Sequence, residues 1–202
     1  DLPREEIRQE LKQAHRILSE AAGKPVVGFR TPGYGLTPAL LAELEALSYQ
    51  YDSSIFPSWP YYGLKAAVLF GMRLRGKNSC SPLGNPAELF APLLPYRPHP
   101  ENPWRRGAST IVELPISATP ASRLPAIGTF LLAAPAWIRQ ALLSGASRLP
   151  FFNLEFHGVD LCDAKEDGLP QELVAKQPDL RVPLATKLAR LDALLTSLGQ
   201  RF

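Results

Sequence analysis

The polarity pattern of this chain changes period along its length, and each change marks an element. Over Arg4 to Ala22, Ile7, Leu11, Ala14, Leu18 and Ala21 recur at steps of three and four. Glu5, Glu6, Arg8, Lys12 and Arg16 fill the rest, so the spacing predicts an amphipathic helix. Asp1 is placed to cap it, Pro3 suits its first turn and Gly23 its end. His15, at the edge of the stripe, is expected to pack there. Val26 to Arg30 then reads as a short strand stopped by Pro32-Gly33-Tyr34-Gly35. Thr37 and Pro38 open a helix through Leu40, Leu41, Leu44 and Leu47, and Tyr49 to Ser54 is the next strand. Strand, helix, strand with short links is the order of parallel α/β folds.

Further along, Leu64 to Arg75 predicts a helix, whereas Gly76 to Thr110 loses all periodicity and reads as an extended excursion with short strands. Ile111 to Ile116 is strand-like, Ala136 to Ser144 helical, and Phe151 to Phe156 strongly β-prone up to His157. Leu184, Leu188, Leu191, Leu195 and Leu198 line one face of a last helix. The 21 prolines, about twice the average share, lie largely between Pro57 and Pro150 and indicate structured surface loops. We expect one domain over residues 1–202, with the proline-rich excursion at about 59–110.

Composition narrows the function classes only slightly. Hydrophobic residues at 46% and charged residues at 20% describe an ordinary globular chain rather than a disordered one. The net charge is +3, with its densest cluster at Arg97, His99, Arg105 and Arg106 beside Trp104. So few charges read as a solvated loop, and no nucleic-acid partner is expected. The most apolar run, Ile127 to Ile138, is too short and too interrupted by Gly128 and prolines to span a bilayer. Cys80 and Cys162 lack metal-type spacing and read as two unconnected thiols. No signal peptide or lipidation motif is visible, and Asp1 is not a natural start, so the compartment stays open.

The chemistry-bearing positions sit where strands end. In parallel α/β folds, side chains at the carboxyl ends of strands gather over the sheet. Arg30 and His157 are both predicted there. A guanidinium can grip a carboxylate in two-pronged fashion and tune a general base, and an imidazole moves protons near neutrality. The plain alternatives are a strand-end ion pair for Arg30 and a hydrogen-bonded interior imidazole for His157. His157, Asp160, Cys162 and Asp163 lie close in sequence but match no metal-ligand template. Asp160 orients His157, caps a turn or contacts substrate. Glu113 and Glu155 interrupt apolar strands, so each lies on an exposed strand face or faces a polar pocket. Tyr34 flanks a ligand or simply packs, and Trp59, Tyr61 and Tyr62 stack on a sugar or pack a loop. Phosphate loops and nucleophile elbows are absent.

Taken in order, these segments resemble the polysaccharide deacetylases, the NodB-type carbohydrate esterases, over nearly the whole chain. Phe29-Arg30-Thr31-Pro32 resembles the family's Arg-x-Pro motif, with Gly33 intervening before Tyr34. Tyr51-Asp52-Ser53-Ser54 and Ile111-Val112-Glu113-Leu114-Pro115 resemble its next strands. Leu154-Glu155-Phe156-His157 resembles its closing Leu-x-x-His motif. The resemblance implies an irregular (β/α) barrel and a divalent metal, commonly zinc, that polarises an acetamide carbonyl while an aspartate activates water. Carried over, Arg30 holds the base aspartate, His157 protonates the departing amine, and Pro32 with Tyr34 shapes the acetyl pocket. The expected substrate is an N-acetylated sugar or polysaccharide.

The sequence departs from that pattern in one respect. The family's Asp-Asp and His-x-x-x-His motifs should precede the helix at Arg4, and the three histidines are His15, His99 and His157. We therefore expect the later portion of a longer deacetylase-like sequence, an α/β barrel incomplete at both ends, carrying the Arg and His motifs but no metal ligands. The alternatives are a non-catalytic carbohydrate-binding or scaffolding domain, and deacylation of a different amide or small nitrogen compound.

Overall fold

A computed structural model describes residues 3–77 and 83–202. The chain forms two compact units, Asp1–Pro115 and Ile116–Phe202, and mixes helix with a smaller amount of sheet. The expected cap at Asp1 and the thiol of Cys80 lie outside the described residues.

The first unit opens with α1 (Arg4–Ala22), which ends at Gly23 in the left-handed conformation, φ 66°. Its polar side is tied down strongly. Glu43 of α2 (Pro38–Ala46) is completely buried and accepts from Arg4 Nε and from Arg8 Nε and Nη2, the latter two at 2.7 and 3.1 Å. The two guanidiniums hold the Glu43 carboxyl down at about 2, from an ordinary 4.5. Of the apolar stripe read along α1, Leu11 is buried and Ile7 packs on the core, while Leu18 is 52% exposed. His15 packs edge-on against Tyr49, ring centroids 5.3 Å apart.

Three very short strands form a parallel sheet in the order β1 (Gly28–Phe29), β2 (Tyr51–Asp52), β5 (Val112–Glu113). Gly28 has a steric reason: a Cβ there would sit 2.2 Å from the Tyr51 ring. Thr37 Oγ1 accepts from Leu40 N and Pro38 occupies the first turn of α2, as the sequence predicts. The leucines of α2 then bury against Leu36, Tyr49, Ile55, Tyr96 and Ile111. The helix expected at Leu64 begins earlier, as α3 (Trp59–Leu74), because Ser58 caps it and Pro60 fits its first turn. The aperiodic segment contains a 3-10 turn at Pro86–Phe90 and an antiparallel hairpin of β3 (Pro98–His99) and β4 (Asn102–Arg106). Arg97, His99, Arg105 and Arg106 belong to this hairpin region. Arg97 Nη1 donates to the Ser109 and Thr110 carbonyls.

The second unit is helical: α4 (Gly128–Ala133), α5 (Ala136–Ala146), α6 (Gln171–Lys176) and α7 (Leu184–Gly199). Its core joins Leu131, Leu142 and Leu194 to Phe152, Leu154, Phe156 and Leu191. Two expectations are corrected here. No strand forms at Phe151–Phe156; Asn153 bonds through its backbone to Ser117 and Glu155 O accepts from Gly128 N, so a loop takes up those groups in place of a ladder. The buried face of α7 is also rotated from the predicted leucine stripe. Lys187 and Leu194 are buried, whereas Leu188 and Leu195 are 48% and 52% exposed. Lys187 is drawn inside because its Nζ donates to the Cys162 carbonyl at 2.6 Å, with Asp163 near enough to share its charge.

Because folding lowers the Glu43 pKa, the ionised carboxylate stabilises the fold fully above pH 4.5, and that contribution fades as pH falls toward 2. Glu43→Gln should therefore lower the neutral-pH unfolding midpoint, with the difference closing on acidification. Circular-dichroism melts of both chains between pH 2 and 7 check this.

Candidate functional site

The carboxyl ends of β1 and β2 carry a connected polar cluster, built from residues that follow each strand directly. Arg30, one residue past β1, donates from Nε to the Ser53 carbonyl at 2.9 Å and from Nη2 to Ser53 Oγ at 2.6 Å. Thr31 N donates to Ser54 Oγ at 2.8 Å, and Ser54 Oγ donates to Asp52 Oδ1 at 2.8 Å. The two strand ends are thus stitched by side chains where the backbone ladder stops.

Asp52 stands in register with Glu113 on the neighbouring strand, and both are completely buried. Two carboxylates so placed cannot both ionise at reasonable cost. Burial and the Asp52 carboxyl raise the Glu113 pKa well above the ordinary 4.5. Burial raises Asp52 as well, but a hydrogen bond with Glu113 and the Ser54 hydroxyl and amide oppose it. The pair is therefore driven to share a proton, and Glu113 is the member pushed further upward. The oxygen of Glu113 that lacks a donor, Oε2, then has a proton of its own to give, while Oε1 accepts from Ile55 N at 3.0 Å. The sequence marks Glu113 as a costly carboxylate but carries no sign that its partner is Asp52, because pairing depends on the β2–β5 register.

Pro32 and Tyr34 lie in a 3-10 turn, Pro32–Tyr34, and separate in role. Gly33 and Tyr34 both take left-handed φ values, 74° and 68°. For a tyrosine this is a strained conformation. It is held by packing: the Tyr34 ring is buried, 5.3 Å from Phe56 and 6.1 Å from Tyr61. Pro32 is exposed and lines a groove of about 740 Å³ with Phe29, Thr31 and Glu6. Beneath the aromatics lies Glu88, a buried carboxyl that no sequence motif marks. Its Oε1 accepts from Tyr62 Oη at 2.7 Å and Phe56 N at 3.0 Å, and burial pushes its pKa up to about 7.

In the second unit His157 precedes a 3-10 turn, Gly158–Leu161, and its side chain is about half exposed. Asp160 is buried. Its Oδ2 accepts from His157 N at 2.8 Å and lies 3.8 Å from His157 Nδ1, while Oδ1 accepts from Thr129 Oγ1. Asp160 thus fixes the backbone of His157 and stands beside its ring. Gly128 permits this, since a Cβ there would meet the Phe156 ring at 2.2 Å and Asp160 Oδ2 at 2.8 Å. Asp163 caps the following loop and the start of α7, accepting from Lys165, Glu166 and Leu184 amides. Glu155 is buried. Cys162 is a free thiol among the described residues.

Chemically, the first unit offers a fixed guanidinium beside a buried acid pair, and the second an exposed imidazole steadied by a carboxylate. Among the described residues no three His, Cys, Asp or Glu side chains come together as a metal site. Comparison with protein-family models, with curated proteins and with solved structures returned no match.

Glu113 has its pKa raised on folding, so its proton stabilises the fold fully below pH 4.5, and this is lost as pH climbs through the raised value. Glu113→Gln supplies a permanent donor in the same shape. It should leave the acid-side unfolding midpoint nearly unchanged and raise the alkaline-side one, flattening the pH dependence of denaturant melts.

Proposed function

We propose that this chain belongs to a hydrolase that removes acetyl groups from N-acetylated sugars or polysaccharide. The parallel strands β1, β2 and β5 would then be part of an irregular (β/α) barrel of the deacetylase type. The observation that carries the reading is the placement of Arg30: it leaves the carboxyl end of a parallel strand and is fixed against the residue that follows the next one. That is where a guanidinium is wanted to hold a catalytic carboxylate. The ordered set of Arg-x-Pro, Tyr-Asp-Ser-Ser, Glu-Leu-Pro and Leu-x-x-His segments supports it.

In the proposed reaction a water gives a proton to the base carboxylate as its oxygen adds to the acetyl carbon, the C–N bond breaks, and acetate and a free amino sugar leave. His157 supplies the proton that the amine takes away. Its Nδ1 lies 3.8 Å from the Asp160 carboxylate, and the side chain is about half exposed. Arg30, in the first unit, would orient a base carboxylate, a role to which no described residue is assigned. A divalent metal, zinc being the commonest choice in the family resembled, supplies Lewis-acid polarisation when bound, and no described residue set is assigned to hold it.

Acetate release from N-acetylglucosamine oligomers by the protein as encoded tests the proposal. His157→Ala should lower kcat by roughly 10²- to 10⁴-fold with KM little changed. Asp160→Asn should lower kcat less than His157→Ala does, again with KM little changed. Glycan binding without any acetate release would sink the enzyme and favour a carbohydrate-binding domain.

A further inference from the structure

The helix α3 turns most of its apolar side chains outward. Across its 16 residues the only buried side chain is Tyr62. That residue is clipped down by its hydroxyl, which donates to the buried Glu88 at 2.7 Å. With about 100° between successive residues, Val68, Leu64, Leu74, Phe70 and Trp59 fall in one arc of roughly 180°. All five are exposed, by 54%, 59%, 72%, 63% and 49%. No charged residue lies within the arc. Lys65 stands at one border and Arg73 at the other, and exposed Arg75 and Lys77 follow the helix end.

The charge pattern says what covers this surface. Between Asp52 and Glu88 the sequence has no acidic residue, while Lys65, Arg73, Arg75 and Lys77 are all basic. A second copy docking through the same face would bring two such cationic segments together, which like-charge repulsion opposes. An anionic bilayer surface satisfies each feature at once. The apolar arc enters the acyl boundary, the Trp59 indole sits at headgroup depth, and the bordering cations reach lipid phosphates. No described helix is long and apolar enough to cross a membrane, so α3 would lie in the interface plane. We propose that α3 docks this protein on the surface of anionic membranes, independently of the activity proposed above.

Co-sedimentation with extruded vesicles decides it, comparing phosphatidylcholine alone with phosphatidylcholine mixed with phosphatidylglycerol. The chain should bind the anionic vesicles, release from them in high salt, and bind neutral vesicles weakly. Leu64→Ser with Phe70→Ser should abolish binding. Lys65→Gln with Arg73→Gln should reduce the partition coefficient by roughly 10- to 30-fold. The altered residues, apart from the partly covered Lys65, are exposed, so unfolding midpoints should hold. Should a variant melt early, the unaltered chain tests the same contact: brominated phosphatidylglycerol should quench its Trp59 emission, and that quenching should be lost in Trp59→Phe. Absence of binding to anionic vesicles overturns the proposal, as does equal binding by the Leu64/Phe70 variant. A dimer in sedimentation equilibrium that the same two substitutions disperse also overturns it, assigning the face to a second copy.

Discussion

Everything at the strand ends of the first unit depends on one constraint: Asp52 and Glu113 are side by side, buried, and carry one proton between them. The β2–β5 ladder fixes their register, and bonds from Ser54 and Ile55 N hold the two carboxyls in place. Ionising both would place two like charges in a low-dielectric interior. Sharing a proton removes that cost and adds a directional link between strands. The remaining oxygens recruit donors from all sides. Ser54 binds Asp52, Ile55 N binds Glu113, and Ser54 in turn receives Thr31 N from beyond β1. Arg30 is positioned at the margin of this network rather than inside it. It is fixed on Ser53 through Nε and Nη2, at an exposed residue position.

The same device recurs wherever regular structure is thin. The strands of the parallel sheet are two residues long, so backbone ladders contribute little and buried charged groups take over registration. Glu43 fastens α1 to α2 through two arginines. Glu88 anchors the start of α3 and the backbone of Phe56. In the second unit Asp160 shapes the turn that presents His157, and Asp163 with Lys187 closes the next loop onto α7. A buried carboxylate with several amide donors is rigid in a way that a leucine contact is not, because its partners are fixed in direction. Both candidate catalytic side chains, Arg30 and His157, therefore rest on polar supports while their working ends stay accessible.

The surface follows from the same sparse packing. Tyr62 is tied to Glu88 and Tyr61 packs on Phe56 and Tyr34, while the apolar arc of α3 faces outward. In an isolated domain such an arc is an unfavourable exposure of hydrocarbon. On a charged lipid interface it is an anchor, and the exclusively basic flanks give it the matching electrostatics.

Local signals in the sequence suffice for elements whose ends are written in caps and breakers. Arg4–Ala22 with Gly23, and Thr37-Pro38 opening α2, are legible because each terminus is decided by a residue's own conformational preference. The strand-helix-strand order, and with it the placement of Arg30 just past a strand, is legible for the same reason. What the tertiary structure alone decides are the relations that cross the chain. The β-prone run at Phe151–Phe156 is a loop because Ser117 and Gly128 take its backbone groups. On α7 the core takes Leu191 and Leu198 of the predicted stripe but replaces Leu188 and Leu195 with Lys187 and Leu194, a rotation that the leucine spacing does not predict. Asp52, Glu88 and Glu43 carry no local sign of their roles, since a carboxyl's protonation and partners depend on which distant groups share its burial. Periodicity encodes where a helix lies; only packing decides which of its faces is wet and which acid keeps its proton.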